Sequence, residues 1–141
     1  MDFEQFEHEA DVGIRGYGKT LEEAFENGAK AMFSVMINLG KVELKKKIKI
    51  ECDASNLEEL FVEWLNALLA QASIENMAFS DFKVEKIKNI NSICKLIGVA
   101  RGEELNTEKH QARIEVKAAT YSQLKVEKEK GRYMAQTIVD V

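Results

Sequence analysis

Apolar residues recur along the chain with two different periods, and the alternation between them lays out its elements. Phe3 to His8 and Ile14 to Tyr17 read as short strands on either side of an irregular turn at Ala10–Gly13. After Gly18-Lys19 the rhythm changes. Leu21, Ala24, Phe25, Met32, Val35 and Met36 fall on one face at helical spacing. Thr20 with Glu23 three residues on is a capping box that starts this helix, and Gly40, which can adopt a left-handed conformation, is expected to stop it near Asn38. From Val42 to Cys52 the period is two. Val42, Leu44, Ile48, Ile50 and Cys52 share a face against Lys45, Lys47, Lys49 and Glu51, with Lys46 breaking the apolar side.

Ser55 and Glu58 predict a second capping box. Leu57, Leu60, Phe61, Trp64, Leu65, Leu68 and Leu69 then give the strongest amphipathic helix of the chain, expected at the centre of the core. Strands are predicted at Phe82–Ile87 and Ile93–Ala100, joined through Asn89-Ile90-Asn91. Gly102 to His110 reads as a solvated loop, and Ile114–Lys117 and Thr120–Val126 as extended. Glu127 to Arg132 is a charged hairpin turn, and Tyr133 to Val141 a closing strand. Two helices cannot cover so many strands on both faces. The pattern therefore predicts an α+β fold in two layers, a mostly antiparallel sheet packed with two main helices.

Composition narrows this picture. The 141 residues suit one domain spanning residues 1–141, and no proline, repeat or linker interrupts it. Apolar residues make up 45%, enough for an unstapled core. Acidic residues outnumber basic ones, 24 to 20, for a net charge of −4. That balance argues against a dedicated nucleic-acid binder but leaves room for a local basic patch. The run Lys45–Lys49 reads as a solvated strand face, with contact to an RNA backbone as its alternative. Cys52 and Cys94 form no CxxC and are expected as free thiols. Asp2, Glu4 and Glu7 interrupt any apolar leader, and Glu58, Glu59, Glu63 and Glu75 interrupt the most apolar stretch. A soluble, cytoplasmic protein without membrane attachment is the expectation.

Candidate chemistry lies at both ends. His8, Glu9 and Asp11 cluster beside Gly13, and the chain closes on Ile138-Val139-Asp140-Val141. Asp140 beside the α-carboxylate of Val141 puts two carboxylates on adjacent residues. If the fold brings Asp11 to them, oxygen donors converge into a site for Ca2+, Mg2+ or Mn2+. Read locally, the alternative is a turn-forming Asp11 and a strand whose last Asp faces water. Glu103, Glu104, Glu108, His110, Glu115 and Lys117 match no metal motif. Gly13, Gly16 and Gly18 have neither phosphate-loop nor dinucleotide spacing, and no serine sits in a nucleophile elbow.

Taken together, the residues resemble the archease family. The signature is Phe6-Glu7-His8-x-Ala-Asp11-Val-Gly-Ile-Arg followed by Gly16-x-Gly18-Lys-Thr-Leu-Glu-Glu-Ala-Phe-Glu-Asn. Glu63-Trp64-Leu65-Asn66, Gly102-Glu103, His110, Val116-Lys117-Ala118, Thr120-Tyr121 and the terminal Val139-Asp140-Val141 support it along the whole chain. The resemblance implies a single archease-like domain, small and α+β, and a non-enzymatic role. Archeases activate the GTP-dependent RtcB-type tRNA-splicing RNA ligase, promoting its guanylylation and multiple turnover. The partner implied is that ligase, with tRNA met only through it. The implied metal ligands are Asp11, Asp140 and the terminal group of Val141, holding a divalent cation, Ca2+ first, with Mg2+ or Mn2+ as alternatives. Glu9 stands where the family has Thr, Asn106 where an acidic residue is common, and Ser122 where His is common. Two further readings stay open. One is a small metal-dependent phosphoryl-transfer enzyme or hydrolase, with His8 as general base. The other is a metal-free interaction domain.

Overall fold

The computed structural model describes residues 1–141. β1 (Phe3–His8) and β2 (Asp11–Gly18) lead into helix α1 (Leu21–Met36), and β3 (Lys46–Ala54) into helix α2 (Leu57–Glu75). Then follow β4 (Met77–Ile90), β5 (Ile93–Glu104), β6 (Ala118–Ala119), β7 (Lys125–Glu129) and β8 (Arg132–Asp140). Every strand pairing is antiparallel, as the α+β reading expects. The strands divide into two sheets rather than one. The first runs β1-β2-β8-β6 with β7 also on β8, and the second runs β3-β5-β4.

Both helices touch both sheets. α1 is the more deeply placed, burying nine residues against six in α2, which corrects the expectation that α2 is the centre of the core. Contact with β2 and β8 on one side and β4 on the other accounts for this. Backbone-to-backbone approach makes it possible. A Cβ at Gly16 would stand 2.1 Å from the Gly28 nitrogen, so only glycine lets α1 settle on β2. The helices join through Trp64, whose Nε1 donates to the Phe25 carbonyl at 3.0 Å, and through the Phe25 and Phe61 rings, 5.0 Å apart. These rings and Phe33 and Phe79 are essentially inaccessible, each contributing roughly 1.5–3 kcal/mol by burial.

Element boundaries agree with the local signals at the first cap and shift elsewhere. Thr20 caps α1, its side chain accepting the Glu23 N–H at 3.1 Å. The second cap is Asn56, not Ser55, and its Oδ1 accepts the Glu59 N–H at 2.9 Å. α1 stops at Met36, short of Gly40, because Ile37 turns into the core and the Asn38 N–H goes to the His110 carbonyl at 2.8 Å. β3 starts at Lys46, so the apparent break in its apolar face lies at its entrance. β4 is much longer than the period-two run at Phe82–Ile87. Register shifts between Phe79 and Asp81 and between Val84 and Lys86 break the alternation without ending the strand.

Candidate metal centre on the β2–β8 edge

The two ends of the chain meet in the first sheet. β1 and β2 form a hairpin whose tip is Glu9-Ala10, with Glu9 in the left-handed region at φ 52°. Its last pair sets His8 opposite Asp11. β8 returns along the far edge of β2; the ladder closes on Val12 opposite Val139, and Asp11 and Asp140 are the residues next to that last pair on their strands. On the other side of β8, Ala118 of β6 pairs with Asp140. Residues directly opposite one another in an antiparallel sheet project from one face. The His8–Asp11 and Asp140–Ala118 pairs therefore stand at the same end of the sheet, which makes a row of carboxylates there.

The flanking residues hold this row in place. The Phe6 ring lies over Gly13, where a Cβ would be 2.2 Å from the ring, and the Arg15 guanidinium stacks 4.5 Å from the Phe6 centroid. Arg15 is already engaged, by the Glu4 carboxylate and by Gln136 Oε1 at 2.8 Å. Across the sheet, the Lys117 N–H donates to the Asp140 carbonyl at 2.7 Å. β6 is clamped from α2. Asn66 Nδ2 donates to the Ala119 carbonyl at 3.2 Å and Oδ1 accepts the Ala119 N–H at 2.8 Å. Ala119 thus has Asn66 as a hydrogen-bonding neighbour on one side and β8 as its pairing strand on the other.

The row's chemistry is that of oxygen donors. Asp140 is exposed, Asp11 and Val141 half-buried, and neither aspartate enters an ion pair. His8 Nδ1 is buried and unpartnered in the same row, the single such side-chain atom in the molecule. Carboxylates free of ion pairs fit a hard cation, which takes oxygen ligands; the His8 nitrogen is not such a donor. No group of three His, Cys, Asp or Glu side chains is gathered to hold a metal. A cation here would depend on Asp11, Asp140, the terminal carboxylate of Val141 and water.

The 102–110 segment is only in part the solvated loop expected: residues 104–109 are exposed, but Gly102 to Glu104 end β5 and two polar side chains turn inward. Glu103 and His110 are buried, at 6% and 0% exposure. Glu103 accepts from the Glu43 N–H at 2.9 Å, from Lys109 Nζ at 2.8 Å and from His110 Nε2 at 2.9 Å. His110 Nδ1 accepts the Asn106 N–H at 3.0 Å, which leaves the ring proton on Nε2, aimed at Glu103. The Glu43 N–H, then Lys109 and His110, hold the Glu103 carboxyl down to about 2. This knot anchors the segment that runs on to Lys117 and Asp140. The polar run gives no sign of it, because charged residues have the same pattern whether solvated or paired, and the Glu43 N–H that completes the knot lies 60 residues away. Glu108 and Glu115 stay exposed, as expected.

An α+β protein of two antiparallel sheets, with a carboxylate row where its first hairpin meets its last strand, is the class these features define. The chain belongs to the archease family: residues 3–141 match the model of the archease protein family (MTH1598/TM1083). A protein named archease from Pyrococcus furiosus is 47% identical over 140 residues, covering 99% of this chain and 98% of its own length. The solution structure of protein 1598 from Methanobacterium thermoautotrophicum superposes with a TM-score of 0.86 at 40% identity, covering 99% of this chain and 98% of that one. A Thermotoga maritima crystal structure described as an archease, possible chaperone, shares the fold at 19% identity and a TM-score of 0.56, covering 96% of this chain and 94% of that one. No helix is long and apolar enough to cross a membrane.

Proposed function

We propose that this chain is a cytoplasmic activator protein of a GTP-dependent RtcB-type tRNA-splicing RNA ligase, promoting ligase guanylylation and multiple turnover rather than catalysing a reaction itself. Family membership supports the reading. The observation that carries it is the β2–β8 ladder, whose last pair, Val12 with Val139, brings Asp11 and Asp140 to the same end of the sheet. Asp11, Asp140 and the terminal carboxylate of Val141 would hold a divalent cation, Ca2+ first, with Mg2+ or Mn2+ as alternatives. Such an ion supplies concentrated positive charge for phosphate oxygens at a partner's active site. The protein's own contribution is positional. β6, clamped by Asn66, fixes the Asp140 backbone, and the hairpin tip brings Asp11 beside it. The hydrolase alternative, with His8 as general base, gains no support from this arrangement, because no group of three His, Cys, Asp or Glu side chains is gathered to hold its metal.

The test is guanylylation of the purified ligase with wild-type protein, Asp11→Asn and Asp140→Asn, each checked for an unchanged melting curve. Both variants should lose the stimulation and bind Ca2+ at least tenfold more weakly by calorimetry. A residue appended after Val141 should weaken Ca2+ too, since it converts the α-carboxylate to an amide. Full stimulation by both variants would overturn the assignment.

A further inference from the structure

The outer face of the second sheet carries a charge pattern that the carboxylate row does not explain. Alternation sends Ile50, Phe82, Val84, Leu96 and Ala100 into the core and their neighbours outward. On the outer face stand Lys47 and Lys49 of β3, Lys95 and Arg101 of β5, and Lys83, Lys86 and Lys88 of β4, all exposed. The acids on this face are Glu51, Asp53, Asp81 and Glu85. Seven of the chain's 20 basic residues and four of its 24 acidic ones thus lie here, leaving 13 basic and 20 acidic elsewhere. An acidic protein presents one basic side.

Two features mark this face as built for an anion. The register places Lys88 directly opposite Lys95, a like-charge cross-strand pair that costs stability. Lys86 is close enough that its ammonium lowers the pKa of Lys88. These three lysines line a concavity of about 440 Å3 with Glu51 and Asp53 on its other wall. Lys49 pairs with Glu51 at 2.9 Å and Arg101 lies 4.0 Å from Asp81, whereas Lys47, Lys83, Lys86, Lys88 and Lys95 make no ion pair.

We propose that this face binds the phosphate backbone of double-helical RNA. Composition separates that partner from an acidic protein. Protein interfaces are depleted in lysine and enriched in aromatics and arginine, whereas here six lysines accompany one arginine and no aromatic. The missing aromatics also remove the stacking platform by which sheets hold single-stranded bases. What remains is cations on the two outer strands and at both ends of β5, where Ile97 and Val99 stand between Lys95 and Arg101; neighbours lie about 7 Å apart along a strand and about 5 Å across it, suited to phosphates and indifferent to sequence. The choice of RNA over DNA rests on the ligase reading. The phosphate chemistry does not, and the test uses this protein alone.

The probe is a short fluorescent RNA duplex, titrated by anisotropy at several salt concentrations, with a DNA duplex of equal length beside it. Wild-type protein should bind the RNA duplex with a Kd on the order of 1–100 µM, with log K falling linearly against log salt. Lys86→Gln/Lys88→Gln/Lys95→Gln should flatten that slope by about 2–3 and weaken low-salt binding at least tenfold. Lys125→Gln/Lys130→Gln, which removes two exposed lysines from elsewhere, should leave it within twofold. No RNA binding at low salt, equal loss in the control variant, or no loss in the triple variant overturns the proposal. Tighter binding to the DNA duplex overturns the choice of RNA. Capture of a polyglutamate peptide with no RNA binding overturns it in favour of an acidic protein.

Discussion

Truncating Asn66 to Ala tests how β6 is held, and through it the frame around Asp140. Ala119 is 6% exposed, so water has little access to its backbone groups once the amide side chain is gone. Two hydrogen bonds disappear, at 3.2 and 2.8 Å. Each is worth about 1 kcal/mol net, and leaving a buried backbone group unpaired adds about 1 kcal/mol or more. The expected loss is about 2–4 kcal/mol. In a domain of this size 1 kcal/mol corresponds to about 3–5 °C, so Tm should fall by roughly 6–20 °C. Asn66→Asp keeps the acceptor for the Ala119 N–H but sets a carboxylate against the Ala119 carbonyl, so it should recover little of the loss. The assay is thermal unfolding with amide exchange read at Ala119, whose protection should drop in Asn66→Ala. An Asn66→Ala melting point within about 2 °C of wild type, with the Ala119 amide still protected, would refute the clamp.

Two further outcomes follow from the packing. The Glu103 carboxyl, held at about 2 against an ordinary 4.5, binds fewer protons in the folded state than in the unfolded one. Its contribution is therefore fully present above pH about 4.5 and lost as pH falls toward about 2. Glu103→Gln should be less stable than wild type at neutral pH and show a flatter stability–pH curve across that window in denaturant titrations. An unchanged curve would show that the knot around Glu103 does not stabilise the fold. Gly16→Ala would press a methyl against the Gly28 nitrogen, the Ala24 carbonyl and the Asn27 backbone, at 2.1, 2.4 and 2.7 Å. None of these can move without shifting α1, so a cost of about 3 kcal/mol and a Tm lower by roughly 10 °C are expected from calorimetry.

Much of the fold was legible because its signals are local. The Thr20 cap, the apolar faces of both helices, the Lys130-Gly131 hairpin turn and the alternation of β8 each depend on residues within a few positions of one another. The misreadings share a cause. Ile37 leaves α1 early because distant residues give it a buried place and give Asn38 a partner in His110. β4 was cut short because a bulge resets the alternation by one residue while the ladder to β5 continues. Glu103 and His110 looked like members of a polar loop because a polar residue with buried partners has the same sequence pattern as one in water.

The candidate site divides along the same line. Asp11, Asp140 and Val141 were named from the sequence, as residues whose chemistry suits a hard cation. Nothing local relates positions so far apart in the chain. Only the pairing of β8 with β2 brings Asp11 and Asp140 to one end of the sheet, and the Asn66 clamp holds β6 beside Asp140. The basic face divides likewise. Lys47 and Lys49 announce themselves on one strand, but Lys88 and Lys95 become neighbours through the β4–β5 register. The sequence by itself determined which elements form and which side chains carry charge, because helix and strand periods, caps and turns are set over a few residues. Tertiary structure alone decided which of those charges meet, because strand pairing brings together residues that chain proximity leaves apart.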